Sequence, residues 1–156
     1  MREEGKTGKM TLKIKRVRKG GHVPGRATGG SAGVDLRACC TDEGILLAPM
    51  ERALVPTGIA IELPGPTHVA LVFARSGLAL REGLAMANGV GVVDSDYRGE
   101  LQVPVVNLSN APLHIANGER IAQLLVMPVE VPDMVEFDNL TQTERGEGGF
   151  GSTGKE

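Results

Sequence analysis

Apolar and polar positions alternate with period two along much of the chain: Leu12 and Ile14; Val34 and Leu36; Ile59, Ile61 and Leu63; Val69, Leu71 and Phe73; Leu101, Val103 and Val105; Ile121, Gln123 and Leu125. That is the spacing of side chains on one face of a β-strand. Breakers separate these runs at short intervals, at Gly20-Gly21-His22, Ala48 to Glu51, Pro64-Gly65-Pro66, Leu108-Ser109-Asn110 and Asn117-Gly118-Glu119. Many short strands so spaced predict an all-β barrel or sandwich. Only Ser76 to Glu82 suits a helix, and a short one. The nine prolines are scattered as edges and turns would have them, and no repeat of solenoid length is present.

Near the middle, Val90, Val92 and Val93 with Gly89 and Gly91 form a small-residue strand that Asp94 ends. Ser95-Asp96 suits the turn of a hairpin whose second arm begins at Leu101. The pattern puts a carboxylate and the only tyrosine, Tyr97, at the tip of an apolar arm. Glycines in that arm leave backbone N–H and C=O groups open to a flat polar ligand such as a nucleobase.

A length of 156 residues supports one domain. Residues 1–10 read as a disordered leader, 11–138 as the β domain, with a mobile loop from Gly20 to Gly30, and 139–156 as a flexible arm. The net charge of −2 and a pI near 5.9 argue against nucleic acid as a partner, because non-specific binding needs a basic stripe. An anionic ligand would have to meet local positive charge. No run approaches the ~18 apolar residues of a membrane span, and the polar N-terminus lacks a signal core, so a soluble, cytoplasmic protein with no membrane partner is expected. Cys39 and Cys40 are adjacent, poor geometry for a bridge, and read as free thiols. His22, His68 and His114 are not at metal-ligand spacing, so no protein-held zinc is expected.

Several fragments carry candidate chemistry. The stretch from Arg145 to Gly154 is glycine-rich with Ser152 and Thr153, a composition that can cradle phosphate, although it lacks the Gly-Lys-Ser/Thr ending of a P-loop. A disordered glycine tail is the plain alternative. With no Trp, one Tyr and three Phe in the chain, Phe150 in a segment that cannot build a core suggests stacking on a base, worth ~1–3 kcal/mol. Arg145 offers a fork for a terminal phosphate. Arg75-Ser76, where a strand gives way to the helix, reads either as an anion site or as plain capping by Ser76. Asp35 and Arg37 share a strand face and read as a surface ion pair, and Gln123 among apolar neighbours reads as a buried amide bonded to backbone.

Taken in order, Ala32 to Ala38, Ala74 to Leu78, Asn88 to Glu100, Gly118 to Gln123 and Arg145 to Gly154 closely resemble the five motifs of the trimeric dUTP diphosphatases (dUTPases). Order and spacing agree across residues 32–154, with Ala74 where a common variant has proline. The resemblance implies a β-barrel-like jelly roll that forms a homotrimer with shared active sites. Asp35, Arg75, Ser76 and Gln123 would come from one subunit, Asn88 to Tyr97 from a second, and the tail from a third. It implies hydrolysis of dUTP to dUMP and pyrophosphate by water attack on the α-phosphorus, which limits uracil in DNA and supplies dUMP for dTMP synthesis. Asp94 matches the residue that orients and deprotonates the water; a carboxylate near its reference pKa of ~3.9 is a weak base, so positioning must contribute. Mg2+ would be held mainly by substrate phosphates, with Asp35 contacting it through water.

In the same resemblance, Asn88 and the backbone around Val93 pair with uracil, and Tyr97 packs on the deoxyribose and leaves no room for a 2′-hydroxyl. Arg75, Ser76, Gly77, Gln123, Gly151, Ser152 and Thr153 match substrate-binding or motif-linking positions, and Arg145 with Phe150 would close the lid. A dCTP deaminase, which shares the fold, is disfavoured because Pro104 stands where those enzymes carry the proton-moving glutamate. A catalytically idle adaptor is the rival from another class.

Overall fold

The computed structural model describes residues 10–149. Within them the chain forms β1 (Lys13–Arg16), β2 (Val34–Arg37), β3 (Ile45–Leu47), β4 (Arg52–Pro56), β5 (Ile59–Glu62), β6 (His68–Ala74), α1 (Ser76–Glu82), β7 (Leu84–Met86), β8 (Gly91–Val93), β9 (Gln102–Asn107), β10 (Leu113–Ile115) and β11 (Arg120–Pro128). All pairings are antiparallel and make four small sheets, ordered β1-β5, β10-β3, β2-β11-β6-β8 and β4-β9-β7. The expected all-β jelly roll is present, and the single helix covers the stretch expected of it. Gly83 ends that helix in the left-handed region, φ 76°, and returns its N–H to the Leu78 carbonyl.

One core joins the sheets, with Leu36, Leu47, Val55, Ile59, Val103, Val105, Ile115 and Leu124 essentially sealed from solvent. Each such side chain contributes roughly 1.5–3 kcal/mol of burial. Two polar residues lie among them, and both are bonded. Thr57 donates its hydroxyl to the Leu101 carbonyl at 2.6 Å. Asn107 donates to the carbonyls of Leu47 and Ala111 at 3.0 and 2.8 Å, and its Oδ1 accepts from the N–H and hydroxyl of Ser109. Left unpaired, each such group would cost ~1–3 kcal/mol.

One choice that alternation left open is settled here, and two expectations need correction. In β6 the sealed side chains are Ala70 and Val72, while Val69, Leu71 and Phe73 point to the opposite, half-covered face. β11 behaves likewise: a bulge between Arg120 and Ala122 turns Ile121, Ala122 and Leu124 inward and leaves Gln123 and Leu125 outward, opposite Phe73 and Leu71. Both faces of this sheet are apolar, so alternation shows the period without choosing the side, and the bulge shifts the phase by one. Of the two corrections, the first is that β8 and β9 are not paired as a hairpin; β8 joins β6, and β9 lies between β4 and β7. The intervening residues 94–101 outrun the ~2–5 of a hairpin loop and carry the chain from one sheet to another. Second, the glycine-rich stretch from Gly20 starts as packed backbone: Gly21 is buried, and a Cβ there would lie 2.9 Å from the Gly58 carbonyl carbon.

Beyond Pro128, residues 129–149 form no helix or strand. Among the described residues, no helix is long and apolar enough to cross a membrane.

Candidate active site

Two clefts collect the residues singled out above. The first, ≈ 320 Å3, is lined by Asn88, Val93, Asp94, Tyr97 and Pro104 over the floor made by Val72 and Met86. Asn88 follows β7 at a turn whose Gly89 has φ 74°, and Asp94 stands exposed immediately after β8. Gly91 lets the strand lie close on its neighbour, since a Cβ would sit 3.1 Å from the Val72 Cβ. The loop after Asp94 is tied internally: the Tyr97 N–H donates to the Asp94 carbonyl at 3.2 Å, and Arg98 donates to the carbonyls of Ser95 and Tyr97 at 2.8 and 3.0 Å. The Tyr97 hydroxyl donates to the Glu100 carbonyl at 2.9 Å.

The second cleft, ≈ 630 Å3, is lined by Ser31, Gly33, Asp35, Phe73 and Gln123. Asp35 and Gln123 are opposite one another in the β2–β11 ladder, which fixes them side by side on the outer face. The Asp35 side chain is 25% exposed and accepts from two cations, Arg75 Nε at 3.0 Å and Arg120 Nη1 at 3.1 Å. Arg75 also donates to the Arg120 carbonyl at 3.3 Å. Arg37 does not pair with Asp35; it donates to the Gly118 carbonyl at 2.7 Å. Gln123 donates to the Ala74 carbonyl at 3.1 Å. A partly buried carboxylate between two guanidiniums holds them closer together than they would lie alone. The result is a concentrated positive edge on an otherwise slightly acidic chain, suited to an anion.

Ser76 is exposed and caps nothing, because the helix N-cap is Arg75 and it makes no side-chain cap bond. A Cβ on Gly77 would come 3.0 Å from Arg81 Nη2. Arg145 is exposed and donates to the Gly148 carbonyl at 2.7 Å, joining neither cleft. Phe150, Gly151, Ser152 and Thr153 lie outside the described residues, as does the leader up to residue 9. Arg120 and Arg98 escaped the sequence reading; an arginine before an apolar strand, or one after the tyrosine, carries no pattern that separates it from a solvated charge. Among the described residues, no group of three or more His, Cys, Asp or Glu side chains is placed to hold a metal. The pKa of the Cys40 thiol is raised chiefly by burial and that of the Glu62 carboxyl lowered chiefly by its hydrogen bond from Lys13, and neither residue lines these clefts.

Comparison with known proteins returns one consistent result. A dUTPase family model matches residues 19–154. A deoxyuridine 5'-triphosphate nucleotidohydrolase of Desulfitobacterium hafniense (strain DSM 10664 / DCB-2) is 50% identical over 145 residues, covering 92% of this chain and 95% of that protein. Another of the same name, from Anaeromyxobacter sp. (strain Fw109-5), is 48% identical over 149 residues, covering 94% and 99%. Among solved structures, the Staphylococcus bacteriophage 80alpha dUTPase with dUPNHPP superimposes with a TM-score of 0.83 at 28% identity, covering 92% of this chain and 98% of that one.

Proposed function

The chain belongs to the dUTPase family, and from that premise we propose that it cleaves dUTP to dUMP and pyrophosphate by water attack on the α-phosphorus, with Asp94 orienting and deprotonating the water. The hydrolysis of dUTP itself follows from the family. The observation that carries the finer reading is the single cleft in which Asn88, Val93, Asp94 and Tyr97 meet. Asn88 and the backbone about Val93 pair with the uracil edge, and cytosine, with donors and acceptors exchanged, leaves buried groups unpaired at ~1–3 kcal/mol each. Tyr97 packs on the deoxyribose. Asp94, exposed on the wall of that cleft, acts mainly by fixing a water in line with the phosphorus, since a carboxylate contributes most through geometry.

The triphosphate lies along Arg75, Ser76, Gly77 and Gln123. Mg2+ would be held mainly by the substrate phosphates, with Asp35 reaching it through water, and would supply neutralisation of the phosphate charge. The donor set suits that arrangement: Asp35 alone, already bonded to two arginines, is far short of the near-octahedral oxygen shell the ion requires, so phosphates and water must complete it. Each Asp35 oxygen accepts one arginine bond and would keep a lone pair with which to accept from an intervening water.

A homotrimer accounts for what one copy leaves apart. The two sets of residues line different clefts, and Arg145 reaches neither. Apolar side chains also lack cover, with Val131, Met134, Phe137 and Leu140 69%, 88%, 72% and 88% exposed. So large an exposed apolar set marks an interaction surface. In this reading residues 11–138 are the catalytic β domain, residues 1–10 a leader, and residues 139–156 an arm that closes over a neighbour's nucleotide through Arg145, Phe150, Gly151, Ser152 and Thr153. The enzyme would work in the cytoplasm, limiting uracil in DNA and supplying dUMP for dTMP synthesis.

The test is incubation of the purified chain with Mg2+ and dUTP, dCTP, dTTP or UTP separately, resolving nucleotide products and pyrophosphate, with a chelated control. Selective formation of dUMP and pyrophosphate, lost on chelation, is expected. Deamination of dCTP would replace the proposal, and absence of turnover would leave a nucleotide-binding adaptor.

A further inference from the structure

Tyr97 is 46% exposed, so packing does not determine where its ring points. Two contacts do. The ring rests on Gly99, where a Cβ would come 2.6 Å from the Tyr97 Cζ, and the hydroxyl donates to the Glu100 carbonyl. The direction of the ring therefore depends on how firmly the peptide at residues 99 and 100 is held.

The Glu100 side chain is only 15% exposed and turns away from the loop toward distant chain. Its Oε1 accepts from the Gly58 N–H at 2.8 Å and from Arg18 Nε at 2.7 Å, and Oε2 accepts from Arg18 Nε at 2.8 Å. Gly58 is itself fixed: its φ is 72°, and a Cβ there would meet Gly21 Cα at 2.6 Å and Cys39 Sγ at 2.8 Å. Its carbonyl accepts from the N–H groups of Val17 and Arg18 at 2.8 and 3.3 Å. On the other side, the next residue, Leu101, donates its N–H to the Ile59 carbonyl at 2.8 Å. Charge-assisted bonds are stronger than neutral ones and hold a specific geometry; here the Glu100 carboxylate is shielded, while the Arg18 side chain is 51% exposed.

We infer that Arg18 and Glu100 form a positioning clamp for Tyr97, so that discrimination between deoxyribose and ribose depends on an ion pair whose arginine lies outside the nucleotide cleft that Glu100 borders. Arg18 lies before all five motif segments and does not line that cleft. The inference rests on the proposed role of Tyr97 at the sugar. Releasing the clamp lets the Glu100 carbonyl turn, the phenol loses its acceptor, and the ring samples positions that admit a 2′-hydroxyl.

The chain contains no Trp and a single Tyr, so its near-ultraviolet circular dichroism tyrosine band reports on Tyr97 alone. Arg18→Ala, Glu100→Gln and the conservative Arg18→Lys are compared with the unaltered chain, together with Tyr97→Ala as a control. Expected in Arg18→Ala and Glu100→Gln are loss of the tyrosine band without nucleotide, and a fall of about tenfold in the dUTP-to-UTP ratio of kcat/KM, carried by the KM for dUTP more than by kcat. Arg18→Lys should recover part of both. A lowered Tm with band and ratio intact would reduce the pair to a structural staple and overturn the clamp. Tyr97→Ala separates the premises: if it leaves the ratio unchanged, the sugar reading fails while band loss in Arg18→Ala still upholds the clamp; if it collapses the ratio and the other variants do not, the clamp alone is wrong. Should Glu100→Gln fail to fold, Arg18→Ala carries the same readouts.

Discussion

The loop from Asn88 to Glu100 and the segment from Val129 to Gly149 are both largely irregular, yet they are held in opposite ways. The loop is tied by bonds to fixed parts of its own chain: Tyr97 to Asp94 and Glu100, Arg98 to Ser95, Glu100 to Gly58 and Arg18. The later segment has short-range bonds such as Arg145 to Gly148 and Gly146 to Thr143, and it presents Met134, Phe137 and Leu140 to solvent. Its acidic residues Glu130, Asp133, Glu136 and Asp138 interleave with those apolar ones. One piece is finished within a single copy. The other has the composition of an interface and is uncovered within one copy, as the proposed sharing of active sites between subunits requires.

Truncation breaks this comparison most sharply. A chain ending at Thr143 should keep its fold, because none of the core side chains lies beyond β11, but lose efficient hydrolysis of dUTP, an effect expected to exceed that of any single substitution. Thermal unfolding checks the first half and steady-state rates the second. Full activity in the truncated chain would remove the segment from the site.

Next in size is Asp94→Asn, which tests the finished piece. Asn keeps the shape and loses the charge, so kcat should fall by at least ~10²-fold, about 2.7 kcal/mol, while nucleotide still binds. Calorimetric titration with a non-hydrolysable dUTP analogue measures the binding. Undiminished turnover would show that the water is activated elsewhere.

The same contrast explains what the sequence could disclose. The helix and the long strands were legible because their periods run over several residues, and the motif segments because each sits where strand pairing delivers it. β3, β7 and β10 carry three residues each, too few to display alternation. The outer placement of Phe73 and Gln123 was hidden by a sheet apolar on both faces and by the bulge at Arg120. Asp35 looked like the partner of Arg37, two residues on, whereas its cations arrive from Arg75 and Arg120, some 40 and 85 positions away. Long-range ion pairs leave no local mark in a sequence, and the Arg18–Glu100 pair was invisible for the same reason.

The smallest expected effect lies wholly on the finished side. Met50 is the one non-glycine with positive φ, 64°, among the described residues, at a turn closed by the Glu51 N–H on the Ala48 carbonyl at 3.0 Å. Its side chain is largely exposed and lines neither cleft, so little packing offsets the strain. The left-handed conformation costs an L-residue roughly 1–2 kcal/mol, and glycine's extra freedom in the unfolded chain returns about 0.5–1 of that. Met50→Gly should therefore raise stability by ~0.5–1 kcal/mol, or about 2 °C in Tm, with kcat unchanged. The gain should be the same in the full chain and in the chain ending at Thr143, since the turn belongs to the part that needs no partner. A lowered Tm would mean that the Met50 side chain contributes contacts outweighing its strain, and a gain confined to one of the two lengths would mean that the turn and the C-terminal segment are coupled after all.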